Sequence, residues 1–495
     1  MPGNSRVKKV VVIGAGLGGL SAACRLARDG NRVTVVEKNA GPGGKVNFVS
    51  AKGFSFDTGA SLVTMKHVFE DLFEYCGEDM ADHLELVPLD PICRYFWKDG
   101  TTLDTSTDIR RTETAIAAFA PEDARALAGY LEASKKKYEI AQRTFLSRSL
   151  NDLPKLLTPS NLPDLFRISS TSTLDSYNSK YFRSSKIRQL FDRYATYNGS
   201  SPYEAPATFA LIPHAEFGLG AWYPKGGIYG IPTGIEALAH RLGVEFRYSE
   251  PAEEIVIENG GVSAVRTSTG VLSADAVVAN SDAVDTYRRL IPEKHRKKYT
   301  DEKLERIEPS CGGFVVLLGV RRKFDQLSHH NIFFSEDYRA EFEAIFGSLT
   351  VPDDPTIYVC ATSRTDPTQA PEGCENLFIL LNAPYTGVVD WEAEKERLAD
   401  KVVGMLESFG LEGLRESAVY RETITPADFE KRYRANRGSI YGVSSNGILS
   451  AFMRFPNKSR EIEGLYFAGG TTHPGGGMPL VLLSGKMAAE LVSKD

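Results

Sequence analysis

The first forty residues limit the fold more than any other part of this chain. Residues 10–13 are a short run of β-branched apolar side chains, which reads as a strand buried on both faces. The run breaks at Gly14, Gly16 and Gly19, spaced G-x-G-x-x-G, and continues into small residues and leucines at helical spacing. Gly14 allows a tight strand-to-helix turn, Gly16 lets backbone approach a pyrophosphate, and Gly19 lets the helix lie close to the sheet. The helix closes at Gly30, and a second strand over residues 32–36 ends on Glu37, where the hydroxyls of an adenosine ribose would be held. An acid there, with Lys38 beside it, disfavours a 2′-phosphate. Strand, glycines, helix, strand and acid in this order predict a site for an unphosphorylated ADP moiety.

Three further stretches carry ligand chemistry. Gly41-Pro42-Gly43-Gly44-Lys45 cannot be regular structure and reads as a loop held close to something. Lys45 either reaches a phosphate or flavin edge or is an exposed loop lysine. The turn Thr58-Gly59-Ala60-Ser61, after a strand over 53–57 and before a helix over 66–75, offers a second edge for a polar ligand. Residues 465–480 hold five glycines and two prolines between a strand and a terminal helix. Such a loop is expensive in chain entropy unless a ligand comes close. Pro479 reads as the first helical position, and the positive end of that helix suits a ring that gathers negative charge. His473 is either a proton acceptor or a residue that shapes the loop.

The middle of the chain supplies a second body. Residues 84–105 read as paired strands around Lys98-Asp99-Gly100, and 121–145 as a charged helix. Leu153, Leu156, Leu157, Leu162, Leu165, Phe166 and Ile168, edged by Lys155 and Arg167, fit either a helical core or a segment dipping into a bilayer surface. Residues 194–236 gather aromatics such as Tyr197, Phe209 and Trp222 on loops, which suits a long, apolar, planar ligand. Residues 244–280 read as a strand meander laid over the nucleotide domain. Residues 310–424 add strands at 313–320, 357–361 and 377–382 and a helix over 391–409.

At 495 residues the chain exceeds one core, so two domains are expected. With 58 basic against 64 acidic residues, and no basic stripe interleaved with aromatics, nucleic acid is not an expected partner. No run of about 18 apolar residues offers a membrane span. The polar start leaves no room for a signal peptide. Cys24, Cys76, Cys93, Cys311, Cys360 and Cys374 lack metal-ligand spacing and read as buried thiols of a reducing compartment.

Together, residues 9–61, 223–280 and 463–490 resemble the bacterial-type phytoene desaturases, carotenoid desaturases of the flavin amine oxidase superfamily. Thr472-His473-Pro474-Gly475-Gly476-Gly477-Met478-Pro479 is the most diagnostic part. The runs 476–483, 370–376 and 198–206 look most like the 1-hydroxycarotenoid 3,4-desaturases. The resemblance implies an α/β fold: a Rossmann-like FAD-binding domain (1–100, 225–305 and 440–495) interleaved with a mixed-sheet substrate domain (101–224 and 306–439) that carries a helical subdomain. It implies non-covalent FAD held on its ADP half by Gly14, Ala15, Gly16, Gly18, Gly19, Glu37, Lys38, Gly44 and Lys45. Gly59, Ala60 and Ser61 would lie nearby, with Val256 against the adenine through backbone and Gly469, Gly470, Met478 and Pro479 along the flavin. It further implies a cytoplasmic enzyme on the membrane surface that draws a carotenoid polyene from the bilayer. That enzyme would desaturate the polyene by hydride transfer to flavin N5, then pass electrons to oxygen or a quinone. An amine oxidase on the same fold, and a flavin-free isoprenoid-binding module of the dissociation-inhibitor type, are the alternatives. The first often tethers its flavin through a C-terminal cysteine, and no cysteine follows Cys374.

Overall fold

The expected first strand forms as Lys9–Ile13, buried at four of its five positions. It lies at the centre of a five-stranded parallel sheet ordered Leu465–Phe467, Ala276–Ala279, Lys9–Ile13, Arg32–Val36, Glu245–Arg247. Both ends of the chain therefore contribute to one sheet. This computed structural model describes residues 7–152, 171–447, 450 and 454–495.

The helix Leu17–Arg28 leaves the glycine turn and packs on the terminal helix Met478–Lys494, where the Ser21 hydroxyl donates to the Leu482 carbonyl at 2.9 Å. Gly485 permits that crossing, and Gly19 permits the tight turn that precedes the first helix. A Cβ on Gly485 would lie 2.2 Å from the Gly18 carbonyl oxygen, and one on Gly19 would lie 2.2 Å from that of Gly14. Because backbone cannot yield as a side-chain tip does, Gly485→Val should cost about 1–3 kcal/mol or more of stability, measured by denaturant unfolding.

The region read as one meander divides. Ala252–Glu258, Gly261–Thr267 and Gly270–Ser273 form a separate three-stranded antiparallel sheet, whereas Glu245–Arg247 and Ala276–Ala279 enter the parallel sheet. Ala276–Ala279 is buried at every position, as a strand covered on both faces should be.

The second body is a seven-stranded sheet ordered Ala418–Ile424, Gly312–Val320, Glu375–Ala383, Ile357–Cys360, His330–Phe333, Cys93–Phe96, Thr102–Thr105. Its second strand in that order, Gly312–Val320, is wholly buried. The helix Trp391–Ser408 covers one face through Leu398, Val402 and Leu406, spaced one turn apart. The hairpin around residues 98–100 forms, but its strand Cys93–Phe96 pairs in parallel with His330–Phe333. The expected boundary at residue 100 thus cuts through a strand pair of the second sheet. Leu86–Pro88, read as part of the same pairing, instead bonds to Trp222–Pro224.

A helical layer completes the molecule, led by Pro121–Ala141 with proline in its first turn. The leucine-rich residues 153–168 lie outside the described residues. Among the described residues no helix is long and apolar enough to cross a membrane.

Candidate functional site

The glycine loops from both ends of the sequence converge on a cavity of about 610 Å³ that continues between the two sheets. Gly14, Gly16, Gly18, Glu37, Lys38, Gly44 and Lys45 line it, as do Gly59, Ala60, Ser61, Gly469, Gly470, Met478 and Pro479. Ala15 and Gly19 sit within the same turn, although they are not part of the wall.

Glu37 is buried, with one carboxylate oxygen accepting the Ala15 N–H and the other the Asn39 N–H, each at 2.8 Å. The acid therefore fixes the glycine turn to the end of the second strand, and its remaining lone pairs stay available to a hydroxylated ligand. Lys38 is engaged elsewhere, donating to the Lys431 carbonyl at 3.1 Å.

Lys45 is not the exposed loop residue that one reading allowed. Its ammonium donates to the carbonyls of Ser439 at 2.8 Å and Ile440 at 3.1 Å, joining the N-terminal loop to a segment far along the chain. Burial pushes its pKa down to about 8, while the nearby Asp282 carboxylate opposes the shift. The cation is present below that value and lost as pH rises through it. Flavin affinity should accordingly fall above about pH 8 in the wild type. Lys45→Met should bind flavin more weakly and lose that pH step, as read by fluorescence titration. Gly59 is set against the same residue, since a Cβ there would lie 1.8 Å from the Lys45 carbonyl oxygen.

Val256 is half-buried in the three-stranded sheet and does not line the cavity; Pro251 and Ala252 do. The bulge between Ala252 and Glu254 sets the strand's first residues apart from Val256. Pro251 and Ala252, at the start of this strand, are the residues here that a ligand in the cavity would meet.

Sequence reasoning missed Asn280, at the end of a fully buried apolar strand. Its side chain lies among the glycines of both loops. A Cβ on Gly16 would meet its amide nitrogen at 2.6 Å, one on Gly18 its amide oxygen at 2.5 Å, and one on Gly469 that oxygen at 3.3 Å. The oxygen is buried and has no partner among the described residues. Arg454 was also missed. It is buried against the C-terminal loop and donates to the Gly470 carbonyl at 3.0 Å and to the Ser445 hydroxyl at 2.7 Å. No carboxylate pairs with it among the described residues, and burial pushes it down to about 10. A polar residue closing an apolar strand was the one local signal for Asn280; nothing local marked Arg454.

At the C-terminal loop, Gly477 precedes the terminal helix with φ at 106°, and Pro479 takes the second helical position rather than the first. His473 is wholly buried behind this loop and does not line the cavity, although Pro474 does. Its Nε2 lies 3.0 Å from the Phe145 carbonyl and 2.8 Å from that of Arg148. Burial lowers its pKa to about 4, against the pull of those carbonyls, so near pH 7 the ring is neutral and Nε2 carries the donated hydrogen. The geometry favours loop shaping: the imidazole pins the flavin-side loop to the turn after Pro121–Ala141.

The unpartnered Asn280 amide, the glycine cradle that any Cβ would fill and the start of the terminal helix fit a dinucleotide with a flat ring. Beyond them the wall turns apolar and aromatic, through Tyr138, Phe145, Phe209, Ile332, Tyr338 and Phe378.

Comparison with known proteins agrees. The family profile for flavin containing amine oxidoreductases matches residues 17–493. A 1-hydroxycarotenoid 3,4-desaturase of a Flavobacterium species is 37% identical over 98% of this chain and 99% of its own length. A 4,4′-diapolycopene oxygenase of a Methylomonas species is 38% identical over 99% of this chain and 98% of its own. Among solved structures, an oxidoreductase from Methanosarcina mazei shares the fold at a TM-score of 0.65 and 18% identity, covering 97% of this chain and all of that one. The chain thus belongs to the flavin-containing amine oxidoreductases, in the family of carotenoid desaturases and oxygenases.

Proposed function

We propose that this protein is an FAD-dependent desaturase of long polyenes, converting a CH–CH bond beside the conjugated system into a new double bond. One observation carries the reading: a single cavity has a glycine-lined dinucleotide cradle at one end and an aromatic, apolar passage at the other. Bound in the cradle, the flavin supplies the oxidant, able to take a hydride from a C–H bond. The chain's own residues bind, orient and desolvate. Glu37 and the glycine turns would hold the ADP half, and Asn280, Gly470 and the start of the terminal helix would line the ring's end of the cavity. The free N–H groups of that helix's first turn stabilise negative charge there. Phe145, Phe209 and Phe378 exclude water and press the polyene flat.

The FAD is held without a covalent bond, a reading supported by the lack of any cysteine beyond Cys374. The polyene enters from a bilayer surface on which the protein rests peripherally, and electrons leave to oxygen or a quinone. The test is anaerobic mixing of the flavin-loaded protein with a polyene. Bleaching of the flavin absorbance should accompany a red shift of the polyene by the increment of one double bond. Bleaching by amines but not by polyenes would reject the proposal in favour of an amine oxidase.

A further inference from the structure

On the second sheet, strand pairing gathers three metal-ligating side chains that lie apart in the sequence: His329, His330 and Cys360. His330 opens the strand His330–Phe333 and stands directly opposite Cys360, which closes the neighbouring strand Ile357–Cys360. Residues opposed in this way carry their side chains on one face of the sheet. His329 is held at the same strand end, its carbonyl accepting the Ala361 N–H at 2.8 Å. One nitrogen of each imidazole and the Cys360 sulfur all lie within 4.8 Å of one another, and all three residues are buried. His330 is also part of the cavity wall, whereas His329 and Cys360 lie behind it.

The hydrogen bonding around the trio leaves it open to a ligand. His329 Nδ1 lies 2.6 Å from the Thr365 hydroxyl, and His330 Nδ1 lies 2.8 Å from the Tyr358 hydroxyl. Nε2 of both rings is buried with no partner among the described residues. Burial keeps both imidazoles neutral, pushing His329 down to about 3, and the Arg193 charge adds to the effect at His330. A neutral imidazole whose Nδ1 N–H is held by an oxygen presents its lone pair at Nε2, the state in which histidine binds metals. For packing alone, two unmet nitrogens at one dry strand end are costly. Cys360 is in no disulfide. The nearest acid is Asp57, whose charge is felt at Cys360 and whose carboxylate accepts from the Tyr223 hydroxyl at 2.7 Å.

We infer that His329, His330 and Cys360 hold one thiophilic metal ion, zinc(II) or copper(I), which clips together the paired ends of the two strands. Imidazole and thiolate are ligands these two ions share, whereas magnesium and calcium take oxygen. As the metal–sulfur bond forms, the thiol proton leaves to solvent. Bound ligand atoms sit about 3.5 Å apart, so the side chains draw in by about 1 Å when the ion enters. Copper(I) with one thiolate leaves no net charge. Zinc(II) leaves one positive charge, which Asp57 offsets and Arg193 opposes.

The test uses the full-length, flavin-loaded protein, produced with zinc and copper supplied. Elemental analysis after gel filtration should find about one equivalent of zinc or copper per chain. The protein is then stripped and titrated with Zn²⁺ alone and, without oxygen, with Cu⁺ alone, each against a coloured competing chelator. The ion found in the purified protein should be the one that the stripped wild type binds more tightly. Cys360→Ser and His329→Gln should each weaken it by at least ~10- to 100-fold, the loss that even an outer partner of a metal ligand causes. Cys311→Ser, which removes a buried thiol elsewhere, should not. Retained flavin and circular dichroism report whether each variant is folded. Should Cys360→Ser not fold, cobalt(II) bound to the stripped wild type decides, through a thiolate-to-cobalt charge-transfer band in the difference spectrum. A wild type that takes up neither ion, equal affinity in wild type and Cys360→Ser, or a cobalt spectrum without the sulfur band would overturn the site. None of these readouts depends on turnover of a polyene, so the desaturase reading stands or falls separately.

Discussion

Gly16→Val is expected to yield a folded protein that emerges from purification without flavin. Gly16 has φ of −70° and ψ of 167°, ordinary extended values, so the backbone tolerates a side chain there. What the position lacks is room, because the new Cβ would sit 2.6 Å from the Asn280 amide nitrogen. That amide is a side-chain tip and can swing away, so the fold survives while the branched side chain fills the space left for the pyrophosphate. Losing close backbone approach and its charge-assisted hydrogen bonds, about 3 kcal/mol in total, should weaken flavin binding more than about 100-fold. The measurement is flavin content and affinity by absorbance and fluorescence, with far-UV circular dichroism as the fold control. A Gly16→Val protein carrying a full complement of flavin would show that the cradle is elsewhere. Gly14→Ala should behave differently, because its φ of 100° makes any side chain strain the turn itself.

The second large effect concerns acid. His473 has its pKa lowered from 6.5 to about 4 by burial, so it takes up its proton more readily in the unfolded chain. Its contribution to stability is therefore complete above pH 6.5 and is lost as pH falls towards 4. The loss across that range amounts to about 3 kcal/mol. Other buried groups, including Asp57 and Glu341, shift the opposite way, so the total acid profile does not isolate this residue. A variant does. His473→Gln keeps an N–H for the carbonyls of Phe145 and Arg148 but cannot titrate. It should lie within about 1 kcal/mol of wild type at pH 8 and exceed it by about 3 kcal/mol at pH 4, in urea unfolding at both values. His473→Leu, which strands both carbonyls, should lose about 2–3 kcal/mol at pH 8. A His473→Gln profile parallel to wild type would remove histidine from the balance.

How much of this could be read beforehand depended on distance along the chain. Strand, glycine turn, helix and Glu37 are local, and they form within a residue or two of the reading. The convergence of residues 9–37 and 465–480 was legible because each glycine-rich loop needed a ligand to justify it. Strand order in the seven-stranded sheet was not, since nothing near Cys93–Phe96 announces that His330–Phe333 will lie beside it. Lys45 shows the same limit: the carbonyls of Ser439 and Ile440 that hold its ammonium lie hundreds of residues away. The aromatic run at 194–236 was noticed as a planar ligand's wall, but His329 and His330 were passed over, because a histidine pair acquires meaning only from the Cys360 that strand pairing sets beside it. His473 was open between two roles until the carbonyls of Phe145 and Arg148 settled its neighbours.

The sheet built from the first and last strands has a consequence for how the protein matures. While the ribosome is still making the middle of the chain, the glycine turn and Glu37 have already emerged, yet Leu465–Phe467 and the terminal helix do not exist. Half a cradle cannot retain its cofactor, so loading must wait until synthesis is nearly complete. A chain lacking the terminal helix is expected to emerge without flavin.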